Sequence, residues 1–340
     1  MTEDVLTQPR LNRALLARQL LLERSRKSIQ EAVEQVGGLQ TQYAPSAYVG
    51  LWTRLARFER EELTKALEER AVVQGSLMRD TIHVVSAREY WLYALGLRRA
   101  RRDWWLRLTK GDVTDREMTR RAARLRAALA DGPRAAKELG ELGSGKVTLW
   151  LDIVRVPPSG TWERRRADLY GLAEDWVGPC DVSEEQGIEH LLRSYLRGFG
   201  PAAPKDAASW AGLPVAPLKE AAARLELRRY RDAAGHELLD LPEAPLPDAD
   251  AAAPVRLLPH WDANVLVHAR RGGVLPEEHR PHIFSTRNPF SVGTALVDGR
   301  IVGAWSLRDG RIVLEPYERV PRRAWREVED EATRLEAFHA

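Results

Sequence analysis

Residues 184–242 read EEQGIEHLLRSYLRGFG (184–200), PAAPKDAASWAGL (201–213), PVAPLKEAAARL (214–225) and ELRRYRDAAGHELLDLP (226–242). The first segment has apolar residues at helical spacing and ends on glycine. The second is a short helix with a turn, and the third is another helix. The fourth alternates polar and apolar residues on either side of Ala234-Gly235, as a two-stranded ribbon does. Helix, helix, helix, hairpin is the order of a winged helix-turn-helix. The fold by itself names no function.

The same order recurs upstream. RLNRALLARQLLL (10–22), a helical pattern over 27–36, a helix after Ser46 and EELTKALEE (61–69) precede two apolar runs, AVVQGSLM (71–78) and TIHVVS (81–86), which read as a hairpin. AREYWLYALGLRRARR (87–102) follows as a helix. A second copy runs through EMTRRAARLRAAL (117–129), AAKELGEL (135–142) and VTLWLDIVRV (147–156). There TWERR (161–165) and RADLYGLAEDWV (166–177) suit a strand pair. One copy is weak evidence, and three in series point to a tandem array.

Beyond the Pro/Ala-rich linker EAPLPDADAAAP (243–254) the texture changes. VGTALVDGRIVGAWSLRDGRIVLEPYERV (292–320) holds three β runs split by Asp298-Gly299 and Asp309-Gly310, both hairpin dipeptides. A helix over 322–339 closes the chain. The expected fold class is α+β, mainly α. Three tandem winged helix-turn-helix repeats would be followed by a small C-terminal β-barrel or curled sheet and a terminal helix. The expected boundaries are 8–110, 111–182, 183–242 and 254–340.

The chain has 340 residues, too many for one ordinary core. Its only cysteine is Cys180, so an intrachain disulfide framework is excluded and a reducing, cytoplasmic setting is expected. The N-terminal MTEDVLTQPR lacks a signal peptide's apolar core, and no apolar run approaches the length of a membrane span. Net charge is only +3, but residues 91–130 carry eleven Arg/Lys against four Asp/Glu. Within them LRRARRDWWLR (97–107) mixes arginine with tryptophan, a composition suited to phosphate backbones. Arg98, Arg99, Arg101 and Arg102, with Arg79 and His83 of the first hairpin and Arg308 and Arg311 of the last, are the candidate DNA contacts. Such binding would weaken steeply with salt.

Several chemistries are absent. The chain has no phosphate-binding glycine loop, no dinucleotide fingerprint, no HExxH and no GxSxG. A zinc deaminase needs a cysteine pair. His279 and His282 share a short segment, but Pro281 between them argues against a metal-binding helix. No metal and no cofactor are expected. Asp262 follows an apolar run and reads as a helix cap.

GGLQTQYAPS (37–46) raises the chemical question. Gly37-Gly38 ends one helix, Ser46 is a good N-cap for the next, and Pro45 disfavours α geometry at Ala44. Residues 39–45 should then be extended. That puts the amides of Gln40 and Gln42 on one side, ~7 Å apart. The plain alternative is two solvated loop glutamines.

Four stretches together resemble the AlkZ/YcaQ-type winged-helix DNA glycosylases: GGLQTQYAPSAYVGLWTRL (37–55), SLMRDTIHVVSAREYW (76–91), GFGPAAPKDAASWAGL (198–213) and LLPHWDANVL (257–266). The likeness covers essentially the whole chain. It implies that the three repeats surround a concave basic surface, and a monofunctional glycosylase that cleaves the N-glycosidic bond of alkylated purines in double-stranded DNA. Removal of bulky or interstrand-crosslinked natural-product adducts, as antibiotic self-resistance, is implied too. Its catalytic Gln-x-Gln motif falls on Gln40, Thr41 and Gln42; the YcaQ-like branch has Gln-x-Asp. The middle residue is often aliphatic in the family, and Thr41 departs from that. The expected protein is a cytoplasmic monomer, nucleoid-associated when DNA-bound. A winged-helix transcriptional regulator and a noncatalytic damage-binding protein are the competing classes. Release of free base separates the enzyme from both.

Overall fold

Caps and glycines set the element bounds in the computed structural model, which describes residues 5–166, 168–266, 273–284 and 291–340. Strand β1 (Val5–Leu6) and helix α1 (Gln8–Arg18) open it. The chain leaves α1 earlier than its apolar run suggests, because Leu20 turns left-handed at φ 57°. Helix α2 (Ile29–Val36) starts at a capping box between Ser28 and Glu31 and stops at left-handed Gly37. Then come β2 (Leu39–Gln40), α3 (Pro45–Arg54), α4 (Arg60–Glu68), β3 (Val72–Ser76), β4 (Ile82–Ser86) and the long α5 (Tyr90–Leu108).

The next stretch holds α6 (Asp115–Leu129), β5 (Arg134–Ala135), α7 (Ala136–Leu139), β6 (Ile153–Arg155), β7 (Leu169–Leu172) and α8 (Ala173–Val177). Here the expected strand pair shifts. Residues 161–165 form no strand, and β7 pairs with β6 instead, Val154 opposite Gly171. The strands of the first two segments join in one six-stranded sheet, ordered β2-β4-β3-β6-β7-β5.

Residues 184–240 keep the expected order: α9 (Glu184–Phe199), α10 (Pro204–Ala211), α11 (Val215–Arg224), then hairpin β8 (Arg228–Asp232) and β9 (Glu237–Asp240). β1 adds to β8 in parallel. Residues 243–254 form neither helix nor strand. Strand β10 (Arg256–Leu258), helix α12 (Arg280–Ile283) and strands β11 (Gly293–Val297), β12 (Arg300–Arg308) and β13 (Arg311–Pro316) precede helix α13 (Arg322–His339). Both Asp-Gly pairs adopt positive φ at both residues, which matches the twist of a tight hairpin. The sheet β10-β11-β12-β13 is open, so the closed-barrel alternative gives way to the curled sheet. Val328 and Leu335 of α13 pack on its face with Leu257 and Trp305.

Two features hold the segments in place. Helices α5 and α9 cross where Gly96 meets Gly187; a Cβ on Gly187 would lie 2.4 Å from the Gly96 nitrogen. Any side chain at either position drives the helices apart. Around this crossing, Val73, Val85, Tyr93, Leu97, Leu191, Tyr195 and Trp210 form a shared apolar core. A second core joins α2, α3 and α4 to the C-terminal sheet through Val33, Tyr48, Leu63 and Trp305. Each buried side chain of this size contributes about 1.5–3 kcal/mol. No described helix is long and apolar enough to cross a membrane.

Candidate functional site

Strand β2 pairs antiparallel with β4, Leu39 opposite Val84 and Gln40 opposite His83. The Thr41 amide extends the ladder by donating to the Ile82 carbonyl, 2.7 Å. There the extended run ends. Ala44 is helical (φ −50°, ψ −44°), Pro45 occupies the first helical turn, and Ser46 lies buried inside α3 rather than capping it. Proline's fixed φ suits the first turn of a helix, and this outweighs its bias against α geometry in the preceding residue.

Gln40 is buried at 8% exposure, and its Oε1 accepts from Arg79 Nη2 at 2.9 Å. A guanidinium only donates, so the oxygen must face Arg79 and the Gln40 amide NH₂ is turned away from it. Arg79 Nη1 donates to the Trp210 carbonyl on α10. Gln42 is exposed, and its Oε1 accepts from the Ile82 amide at 3.4 Å, a long contact. Gln40 thus leans on the connector between β3 and β4, and Gln42 on the first residue of β4.

That connector is strained and pinned. Arg79 and Asp80 are consecutive left-handed residues, at φ 53° and 56°. Each such residue costs about 1–2 kcal/mol and persists only where its surroundings hold it. Asp80 is held by Arg101 and Lys146, and the Arg79 backbone lies against Gly212, where a Cβ would come within 3.1 Å. Burial pushes the Arg79 guanidinium down to about 10, so it stays charged at neutral pH.

Behind Gln40 lies a narrow cleft of about 10 Å³, bordered by Gln19, Ser46, Arg54, His260 and Asp262. Arg54 Nη2 donates to Asp262 Oδ2 at 2.9 Å and to Gln19 Oε1 at 3.2 Å, and Arg54 Nη1 to the Gly50 carbonyl. Asp262 Oδ1 accepts from the Asn264 backbone amide and side chain. Asp262 therefore caps no helix: it closes a tight turn and neutralises a buried arginine. The sequence reading missed Arg54. Its one signal was an arginine inside the apolar helix pattern AYVGLWTRL.

The candidate DNA contacts separate into two groups. Arg98 pairs with Asp152 at 2.6 Å, Arg101 donates to Ser76 O and Asp80, and Arg102 donates to Leu149 O beside the Trp150 ring. These three bind α5 to neighbouring parts of the protein, and Arg79 is committed to Gln40 and Trp210. Arg99, Arg308 and Arg311 are exposed, although Arg311 also approaches Glu336 at 3.7 Å. A cluster on a helix cannot, from sequence alone, be divided into docking and exposed members. His83 is buried, its Nδ1 against the Thr81 carbonyl, so in this arrangement it presents no charge to a phosphate. His279 pairs with Glu318, and among the described residues no three His, Cys, Asp or Glu side chains converge.

Burial, with Arg79 and Arg101 nearby, lowers His83 to about 3. Burial beside Arg197 lowers His190 to about 3. In the unfolded chain both take up protons near the ordinary 6.5. Stability is therefore complete above pH ~6.5 and falls as pH drops toward ~3, because only the unfolded state binds protons in that window. Thermal midpoints should decline steeply below pH ~6, and His83→Gln should decline less steeply. An unchanged midpoint from pH 7 to 4 would contradict this.

Comparison with known proteins agrees with this architecture. A model of the family described as DNA glycosylase AlkZ-like matches residues 33–338. A Streptomyces sahachiroi protein named interstrand DNA cross-link repair glycosylase is 24% identical over 357 residues, covering 94% of this chain and 93% of its own. The solved structure of Streptomyces sahachiroi DNA glycosylase AlkZ superposes with a TM-score of 0.82 at 21% identity, covering 99% of this chain and 98% of its own.

Proposed function

We propose, from the premise that this chain belongs to the AlkZ-like family of DNA glycosylases, that it hydrolyses the N-glycosidic bond of N7-alkylated purines. Bulky and interstrand-crosslinked natural-product adducts are included, as self-resistance. The observation that carries this is the pair of amides Gln40 and Gln42, the first held by the strained Arg79 and the second against the start of the strand that follows it.

An N7-alkylated purine is already cationic and leaves without being protonated. The protein must then place a water beneath C1′ and tolerate an oxocarbenium-like centre, and positioning supplies much of that acceleration. Arg79 takes one lone pair of the Gln40 carbonyl and turns the NH₂ away from itself, so Gln40 can donate through that NH₂ to the water's oxygen. Gln42 supplies the acceptor. Its contact with the Ile82 amide is long, and a carbonyl oxygen has a second lone pair. Neutral amides suit a labile base; a carboxylate at the second position would extend reach to less activated ones. Arg99, Arg308 and Arg311 are the candidates for phosphate contact.

The test is a duplex carrying one N7-methylguanine. The full-length protein should release the free base and leave an abasic site that breaks only with alkali or heat. EDTA should not slow it. Borohydride should trap no protein–DNA adduct, because no lysine flanks Gln40–Gln42 to form a Schiff base. Failure to release this base sinks the alkylpurine assignment, and a trapped adduct sinks the monofunctional mechanism.

A further inference from the structure

A cavity of about 310 Å³ lies between the six-stranded sheet and residues 136–148, and it shares no residue with the cleft behind Gln40. Gln74 of β3, Ile82 of β4, Arg155 of β6 and Tyr170 of β7 border it on the sheet side. Ile82 ties it to the candidate site, since the amide of the same residue meets Gln42. The volume falls within the range of small-molecule sites.

Polar demand around this cavity is unmet. Three atoms on residues that border it are buried without a hydrogen-bond partner: Gln74 Oε1, an acceptor, and the Nε donors of Arg101 and Arg155. Groups of this kind call for a ligand or water. The charges are unequal too. Arg101 is paired with Asp80, and Asp152, which also borders the cavity, with Arg98. Arg155 makes no ion pair among the described residues; its side chain bonds only Tyr170. It is half-buried, and burial lowers its pKa. A cation withdrawn from water with no counter-charge costs free energy, and a bound anion offsets that cost. The remaining lining, with Tyr90, Tyr170, Ile153 and Leu139, is aromatic and aliphatic.

We infer that this cavity holds one nucleotide, the partner of the damaged base turned out of the duplex, with its phosphate against Arg155. The inference rests on Gln40 and Gln42 marking the reacting centre. A nucleotide joins what the lining asks for: an anion, a planar ring, and donors and acceptors on one edge. The damaged base itself does not suit, because an N7-alkylpurine is cationic and Arg155 repels it. Its partner, cytosine, is uncharged and offers an N4 amino donor to an acceptor such as Gln74, with ring acceptors for the arginines. A base whose partner is damaged costs least to extrude. Lodging the partner here clears the space across the duplex from the glycosidic bond under attack. A free nucleotide carries the same chemistry, and the test separates the two sources.

The experiment uses the full-length protein and a duplex in which 2′-fluorinated N7-methylguanine, which resists depurination, faces pyrrolocytosine. That fluorescent cytosine brightens when it leaves the base stack. Wild-type binding should raise its fluorescence. Arg155→Met should lose the rise and bind about tenfold more weakly, the loss expected for one charged hydrogen bond. Thr148→Trp, which fills the cavity, should lose the rise as well, and Arg155→Lys should keep it. The thermal midpoint of free Arg155→Met should be no lower than that of wild type, because a charge without a counter-charge has gone. A fallen midpoint makes Arg155 a structural residue and overturns its role. Calorimetry with dCMP tests the other source: binding by wild type and not by Arg155→Met, with no fluorescence rise, keeps the nucleotide site and assigns it to a free nucleotide. Neither a rise nor dCMP binding, or a rise that survives both Arg155→Met and Thr148→Trp, overturns the inference. A rise without release of N7-methylguanine from the ordinary duplex leaves the nucleotide site and removes the alkylpurine chemistry. Release with neither a rise nor dCMP binding does the reverse.

Discussion

Gln42→Ala should release N7-methylguanine about 100-fold more slowly than wild type in single turnover, a loss of about 3 kcal/mol of transition-state stabilisation. That is the expected result if the exposed amide beside Ile82 supplies the acceptor that orients the water. Fold and DNA affinity should be preserved, because Gln42 is exposed and its one contact is long. Gln40→Ala should slow release by a similar factor, and the double variant by less than the product, since both groups act on one water. Gln40→Ala also strips Arg79 of a partner, so a modest fall in thermal midpoint should accompany it and not Gln42→Ala. Gln42→Asp is the sharper probe: a carboxylate still accepts from water, and activity on cationic N7 adducts should be retained. Wild-type rates for both alanine variants would leave the two amides as ordinary loop residues.

The second large effect is on stability. Asp262→Ala should destabilise the protein by about 3–5 kcal/mol, because it strands the Arg54 guanidinium in the interior. The Arg54 and Asp262 side chains are each 1% exposed, so no water can replace the lost carboxylate. The same change removes the acceptor that holds Asn264 and unsettles the turn carrying His260 and Trp261. Replacing both partners, with Arg54→Met and Asp262→Leu, should lower the chemical-denaturation midpoint less than the single change does. Equal losses for single and double variants would show that the turn, and not the charge, is what matters.

Much of the architecture is legible because its signals are local. Ser28 with Glu31, the Gly37-Gly38 stop, and the two Asp-Gly pairs each fix a boundary within a few residues. The helix after residue 321 runs over its full predicted span. Non-local facts are what the sequence hides. Strand β6 joins the sheet of residues 39–86 by pairing with β3, and no periodicity announces a partner some eighty residues away. Gly96 looks like an unremarked helical glycine until Gly187 is brought against it. At the candidate site the glutamines stand out by spacing, yet the arginine that orients one of them reads as a phosphate contact. Its role depends on Trp210, whose carbonyl fixes the guanidinium from the far side. Arg98, Arg101 and Arg102 make the same point: charge is visible in sequence, and its intramolecular partner is not.

The connector at Arg79 and Asp80 carries one more consequence, for the timing of competence during synthesis. Gln40 takes its orientation from Arg79, Arg79 rests on Trp210, and the cleft behind them closes on Asp262. An emerging chain therefore holds its two glutamines long before it holds what aims them. Arg101 and Lys146 hold only Asp80, so Arg79 lacks its far-side anchor until α10 arrives, and a partly made or truncated chain leaves Gln40 unaimed. If Gln40 acts as proposed, a DNA glycosylase gains from this order of assembly: Trp210 and Asp262, far downstream in the chain, act as its safety catch.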